Sequence, residues 1–515
     1  MALATAVSLT GDDLTLDDVW AVAVEGSQAG LSKESASKMR AARELVDRRA
    51  SESSGEHTYG INTGFGRFVE RSIPFELSQE LHLRLLRSHA CGVGEPYPRE
   101  VVRAAMLLRA NTLAKGYSGA RPEVVELLLE CVNRDVVPVV PSRGSVGASG
   151  DLAPLAHLAL PLVGEGRAAV NGEELGGAEA LARAGLEPIR LHAKEGLSLV
   201  NGTQFMAAVG ALALVRARRL AKTADIACAL SVEALQASRV SFLPEVHALR
   251  PLPGQVAAAA NILQLLEGSA VIEAHRWCDK VQDAYSLRCA PQVHGASRDL
   301  LEYVERTITI ELNAATDNPL VIVDQDDLLS NGNFHGQPLA FALDALAIAA
   351  AELASISERR VERLVNPSLS DGLPAFLTHD GGLNSGFMIP QYVAAALVSE
   401  NKVLCHPASV DSIPTSAGQE DHVSMGNASA LKCWTVVGNV ERTLAIELLA
   451  AAQGVEFLAP LEPGLGGRAA HDFVRTLSPT LFEDRPLATD IERVATTIAS
   501  GELVAAVERE AGVLQ

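Results

Sequence analysis

Three adjacent residues, Ala148-Ser149-Gly150, are small enough for their backbone to fold onto itself. Attack of the Gly150 nitrogen on the Ala148 carbonyl closes a five-membered ring. Loss of water there, and β-elimination of the Ser149 hydroxyl, leave an exocyclic methylene on an imidazolone, a strong electrophile made from the chain alone. Gly150 suits the position because it has no Cβ to block the approach. As a bare tripeptide the signal is weak, since Ala-Ser-Gly is common in loops. It is strengthened by its setting, Gly-Ser-Val-Gly-Ala-Ser-Gly-Asp-Leu-Ala-Pro-Leu-Ala-His over residues 144–157. Without the chemistry, the same residues read as a glycine-rich turn entering a helix, with Asp151 near its N-terminus.

The elements that must hold this loop follow from composition and periodicity. The chain has 515 residues, 48% hydrophobic and 21% charged, enough for a large core and too many for one small domain. Aromatics make up only 4%, while alanine and leucine abound, a balance that favours closely packed helices. A net charge of −20 argues against a nucleic-acid binder and suits a soluble protein that handles small molecules. Seven cysteines without CxxC pairs, and an N-terminal stretch 1–16 with no basic region and with Asp12 and Asp13, point to a reducing, cytoplasmic setting without a signal peptide. The apolar run 338–356 contains Asp344 and Glu352 and reads as a buried core helix before a membrane span. No HExxH, paired Cys/His set or GxxxxGK[ST] motif is present, so neither a metal nor a nucleotide is expected.

Short helices are expected over 15–50, then a glycine-rich loop at 59–66 with unusual backbone angles and mobility. Helical periodicity covers 77–91, 99–115 and 122–134, and 136–140 reads as a short strand. Hairpins are expected over 166–175, turning at Asn171-Gly172, and over 319–334, turning at 324–327. Beyond residue 201 the pattern is mostly long helices: 204–238, 254–266, 292–315, 337–365, 388–403, 428–454 and 490–511. Many exceed the usual length, which suggests a bundle shared with partner chains. Three regions result, 1–200 bearing the reactive loop, 201–455 a central long-helix bundle, and 456–515 a C-terminal helical region.

The blocks 59–66, 88–96, 144–157, 194–204, 278–295, 317–320, 332–335, 384–388 and 419–425 together resemble the aromatic amino-acid ammonia-lyases and aminomutases, which use the ring described above, 4-methylidene-imidazol-5-one (MIO). The histidine-acting lyases resemble it most. The resemblance implies a mainly α fold of the fumarase/aspartase-like type, with a mixed N-terminal region and few strands. It also implies a homotetramer whose active sites each draw on three chains, and no external cofactor. The reaction implied is elimination of ammonia from L-histidine to give trans-urocanate. A tyrosine- or phenylalanine-acting lyase or 2,3-aminomutase is the alternative. A base alone supplies only about 10²–10⁴-fold, short of the roughly 10⁶-fold that enzymes reach at minimum, so an electrophile from Ser149 must activate the substrate.

By the same resemblance Tyr59 is the loop tyrosine proposed as β-proton base, and Tyr285 assists amine departure or proton transfer. Arg288 clamps the substrate carboxylate with its planar fork. Gln282 and Asn201 offer amides to the carboxylate and the ring oxygen; Asn201 is otherwise an N-cap of the next helix. His89, in Ser88-His89, exchanges a hydrogen bond with an imidazole where phenylalanine-acting members carry Phe-Leu. Glu420, in Gln419-Glu420-Asp421-His422, accepts from that imidazole or acts as a second base, where other members read Asn-Gln-Asp-Val. Phe334 walls the pocket. Gly418, Asn331 and Cys91 depart from the usual pattern, and 459–484 matches least. A serine hydrolase using Ser149 fails on spacing, because Gly147-Ala148-Ser149-Gly150 is not a GxSxG elbow. A helical scaffold without catalysis is disfavoured because every catalytic position is filled.

Overall fold

The structure, a computed structural model, describes residues 6–51, 58–277 and 280–515. Residues 1–5 of the N-terminal stretch, and Cys278 and Asp279 of the block 278–295, lie outside the described residues. Among the described residues the chain is mainly α, with twenty α-helices and nine strands of three or four residues.

The long helices are alanine-rich, which lets them form readily and pack closely. Gln204–Ala234 is buried along most of its 31 residues and ends where Gln236 turns to φ +49°. Gln337–Val365 is long and apolar enough to cross a membrane, but 67% of its most apolar window is buried. It also carries Arg360, sealed in a bidentate pair with Glu447. It is a core helix, as its internal acids imply. The expected helix 490–511 is two helices, Ala488–Ser500 and Glu502–Ala511, because Gly501 takes φ +87° and ends the first in a left-handed cap. Leu465–Leu477 is a further helix within the stretch that matches the sequence pattern least. Instead of short helices throughout 15–50, the chain forms Leu16–Ala23 and the 19-residue Lys33–Ser51. Each follows one of two short parallel strands, Val7–Leu9 and Ala29–Leu31.

The chain divides into two compact units. The first comprises Met1–Leu212, Glu305–Leu343 and Pro407–Leu431; the second comprises Ala213–Val304, Asp344–His406 and Lys432–Gln515. The described residues of 1–200 thus fall within the first unit, which also takes in two later stretches.

In the first unit, Arg167–Val170 and Glu173–Gly176 form the expected hairpin, and Val136–Pro138 pairs with its first strand. Asn171 and Gly172 both take positive φ, as the two-residue turn demands. Leu320–Ile322 and Asp327–Leu329 form the second hairpin. The pairing that matters most for the site joins Val93–Pro96 to Pro141–Arg143, with Val93 opposite Arg143. The first strand follows the helix Ser78–His89, and the second leads into the loop at Gly144. That antiparallel pair brings the end of the His89 helix beside the reactive loop. The second unit holds its own buried polar pairs, including His294 Nδ1 at 2.7 Å from Asp225 Oδ1.

Candidate active site

The loop from Gly144 to Asp151 needs its glycines for two reasons. Gly147 and Gly150 take φ +67° and +72°, a region costly for side chains with a Cβ. Gly150 also lies against Gly202 in a parallel bridge, so close that a Cβ would overlap the Gly202 carbonyl. The loop is tied from both sides. Asp151 N–H donates to Gly202 O (2.7 Å), and Met425 N–H donates to Val146 O (2.9 Å). The Ser424 hydroxyl donates to Gly147 O (2.9 Å).

Asp151 does not cap its own helix, Leu152–Ala159. Its buried carboxylate accepts instead from Phe205 N–H (2.9 Å), Met206 N–H (3.0 Å) and the Ser145 hydroxyl (3.0 Å). It therefore caps the 31-residue helix from outside and favours its positive end. Burial pushes its pKa up to about 6, against the pull of these donors.

Ser149 is half-buried, and its hydroxyl donates to Glu420 Oε1 at 3.0 Å. The other Glu420 oxygen accepts from the Thr415 hydroxyl at 2.6 Å, and a backbone bridge between Thr415 and Glu420 fixes that carboxylate. Asn201 is not an N-cap; it ends the helix Glu195–Val200, and its backbone N–H donates to Leu197 O. Its side chain is thereby free to place Nδ2 at 3.5 Å from Ser149 O. Its Oδ1 is buried with no hydrogen-bond partner among the described residues.

Tyr59 stands edge-on to Phe65, ring centroids 6.1 Å apart. Burial raises its phenol pKa, a Gly66 backbone hydrogen bond opposes this, and Glu420 and Asp317 raise it further. Gly60 and Gly66 on its loop take positive φ, as the glycine-rich sequence implies. His89 is the last residue of its helix, and Nδ1 lies 3.0 Å from Leu85 O. A carbonyl can only accept, so that geometry puts the proton on Nδ1 and leaves Nε2 as an acceptor. Burial lowers the pKa of His89, with Leu85 O and Glu420 acting the other way; the ring is neutral at pH 7.

Tyr59, His89, Ser149, Asn201 and Glu420 line one cavity of about 1080 Å³. Leu85, Leu152, Leu197 and Val200 give it apolar walls. A second cavity of about 360 Å³ shares Tyr59, Ser149, Asn201 and Glu420, and adds Ala148 and Phe334. The first unit alone therefore assembles most of the expected site.

Gln282, Tyr285 and Arg288 belong to the second unit and line neither cavity. They form a group of their own. Arg288 stacks over the Tyr285 ring at 4.6 Å and donates to Gln282 Oε1 (3.0 Å) and Asp283 O (3.0 Å). Tyr285 is 70% exposed. Beneath Asn201 lies Arg109, which no motif reading singled out. The Arg109 guanidinium is fully buried and donates to Ser198 O (2.7 Å) and Asn201 O (2.9 Å). The buried pair Lys194–Asp317, 2.6 Å apart, adjoins it. The one faint signal in the sequence is an arginine set within the apolar run of the helix Arg99–Ala114.

The family model described as aromatic amino acid lyase matches residues 14–476. A histidine ammonia-lyase from Gloeobacter violaceus is 58% identical over 504 residues, 98% of each chain. The crystal structure of a histidine ammonia-lyase from Trypanosoma cruzi superposes with a TM-score of 0.90 at 48% identity, covering 98% of this chain and 96% of that one. A tyrosine aminomutase from Streptomyces globisporus superposes with a TM-score of 0.93 at 39% identity, covering 99% and 100%. With a match over nearly its whole length, the loop of small residues and the helical fold around it, this chain belongs to the aromatic amino acid lyase family and is a carbon–nitrogen lyase.

Proposed function

We propose that this chain is a histidine ammonia-lyase that converts L-histidine to trans-urocanate and ammonia, using MIO formed from Ala148-Ser149-Gly150. The observation that carries the reading is that His89 and Glu420 share one cavity with Ser149. A neutral imidazole acceptor and a carboxylate suit a substrate with a polar ring. Facing a phenyl ring, His89 Nε2 and the Glu420 oxygen that loses the Ser149 hydroxyl on cyclisation would be left without partners, at a cost that favours the polar substrate. The high identity to histidine ammonia-lyases supports the same substrate.

The tripeptide fits the ring it would form. Gly150 has the backbone angle and the missing Cβ, Ala148 is buried, and the Asn201 amide lies beside the Ser149 carbonyl with one oxygen unpartnered. Once formed, the ring supplies an electrophilic methylene that activates the substrate amine. The chain's own groups do the rest. The Asn201 amide donates toward the carbonyl of residue 149. His89 Nε2 accepts from the substrate ring. Burial holds Tyr59 as a phenol, so before it takes a proton it must give up its own, and Glu420 is the carboxylate in the same cavities able to receive one. Phe334 closes the apolar side.

Gln282, Tyr285 and Arg288 complete the site from another copy of the chain in a homotetramer, with Arg288 holding the substrate carboxylate. Exposed apolar side chains on the long helices, among them Ile310, Phe341, Ile389, Tyr392 and Val403, support such an assembly, because they would otherwise face water. The strongly acidic chain and six free cysteines among the described residues support a cytoplasmic enzyme with no nucleic-acid or membrane partner.

The alternative is a tyrosine or phenylalanine lyase or 2,3-aminomutase, favoured by the backbone likeness to the tyrosine aminomutase. Incubation of the purified protein with histidine, tyrosine and phenylalanine, followed by ultraviolet absorbance and amino-acid analysis, separates the readings. Urocanate is the expected product. Coumarate, cinnamate or β-amino acids without urocanate would overturn the proposal.

A further inference from the structure

Two glycines stacked on a buried cation are the least ordinary feature of this unit. Gly150 rests against Gly202, and Gly202 in turn rests on Arg109. A Cβ at Gly202 would overlap the Arg109 guanidinium and stand 2.5 Å from Gln204 Oε1 and 2.8 Å from Thr316 Oγ1. The guanidinium is fixed on its own side by Ser198 O, Asn201 O and the Gln204 side chain. Gln204 is itself held by the Thr112 and Thr316 hydroxyls at 3.1 and 3.0 Å. The two backbone carbonyls that Arg109 engages are Ser198 O, within the helix Glu195–Val200, and Asn201 O at its C-cap, the helix end that presents Asn201 and Gly202 to the reactive loop.

Burying a guanidinium is costly unless its donors are met and opposite charge is near. Burial lowers the Arg109 pKa to about 10, while Asp317 and Asp151 act against this, so it stays a cation at neutral pH. A neutral side chain could fill the same space at less cost. The cation's geometric return is a helix end tied at residues 198 and 201 by one planar group, whose position sets where Gly202 O and the Asn201 amide stand.

We infer that Arg109 is a positioning residue for ring closure, setting the Gly202 surface and the Asn201 amide against which Ala148-Ser149-Gly150 cyclises. The inference rests on the proposal that this tripeptide forms MIO. In the step concerned, the Gly150 nitrogen lone pair attacks the Ala148 carbonyl carbon. The carbonyl oxygen leaves as water with one hydrogen from Gly150 N and one from Ser149 N. A second water takes the Ser149 hydroxyl and its Cα hydrogen. No oxidant or reductant enters.

The test follows intact mass after expression and during incubation in Arg109→Lys, which keeps the charge and loses the fork. Leu107→Ala, on the same helix and also buried, serves as a destabilised control. Wild type is expected two waters lighter than its sequence. Arg109→Lys is expected to mature about 10–100-fold more slowly, the rate equivalent of one lost charge-assisted hydrogen bond. It should keep wild-type helicity and assembly, while Leu107→Ala matures at the wild-type rate despite a lower melting temperature. If Arg109→Lys does not fold, Gln204→Met, which removes one acceptor of the guanidinium, should show the same delay in smaller measure. Maturation at the wild-type rate in whichever variant folds overturns the role of Arg109. Wild-type protein at its full sequence mass refutes cyclisation itself, a separate result.

Discussion

Gly150→Ala probes the contact on which the site is built. The substituted residue would need φ +72°, at a cost of about 1–2 kcal/mol for a side chain with a Cβ. Its Cβ would overlap the Gly202 carbonyl carbon and oxygen and lie 2.8 Å from the Gly202 Cα, where real Cβ atoms do not approach within 3.0 Å. The neighbour is backbone, so no rotamer relieves the overlap. The two segments must part by about 1 Å to restore van der Waals contact. The Asp151 N–H to Gly202 O bond, now 2.7 Å, would stretch to about 3.7 Å, outside hydrogen-bonding range. A buried donor left unsatisfied costs about 1–3 kcal/mol more. The expected result is a folded protein destabilised by about 2–5 kcal/mol, with an intact mass equal to its sequence and no turnover. Thermal unfolding and mass spectrometry together read both effects. A variant two waters light, with a wild-type melting temperature, would refute the argument that the Gly150–Gly202 approach organises the loop.

His89→Phe should lower kcat/KM for histidine by about 10–100-fold, the worth of one specific hydrogen bond. Its melting temperature should change little, because the ring is half-buried and among the described residues is bonded to Leu85 O and Ser88; unchanged kinetics would remove its role. Arg288→Lys should raise KM for histidine by about tenfold or more as a point charge replaces a fork, and steady-state kinetics with a wild-type KM would contradict the clamp. Glu233, buried and accepting from Gly464 N–H, is pushed up from 4.5 to about 7 by burial. A carboxyl whose folded pKa lies above its unfolded value contributes stability that is full below pH 4.5 and lost as pH rises through about 7. Glu233→Gln should remove that fall, about 3 kcal/mol on this shift. Melting temperatures between about pH 4.5 and 7.5 should then slope less than in wild type, and an equal slope would count against it.

Long periodic segments are legible in the sequence itself. The helix 337–365 appears over those residues, and the Asn171-Gly172 hairpin forms with both residues at positive φ. Local chemistry suffices there, because helix period and turn geometry are written in neighbouring residues. The break at Gly501 is not legible in the same way, since a lone glycine within an apolar pattern ends a helix only if the next segment packs elsewhere.

The order of residues alone identified the reactive tripeptide, the candidates His89, Asn201 and Glu420, and a helical architecture. It could not say that Asp151 caps a helix starting more than fifty residues later, that Asn201 leaves its amide free for Ser149, or that Arg109 lies beneath both. Nor did it show that Tyr59, His89, Ser149, Asn201, Phe334 and Glu420 gather within one compact unit, while Gln282, Tyr285 and Arg288 belong to another. Those facts are long-range. Motifs record which side chains are available, but burial, charge and hydrogen-bond partners arise only when distant segments pack, and they decide what each side chain does.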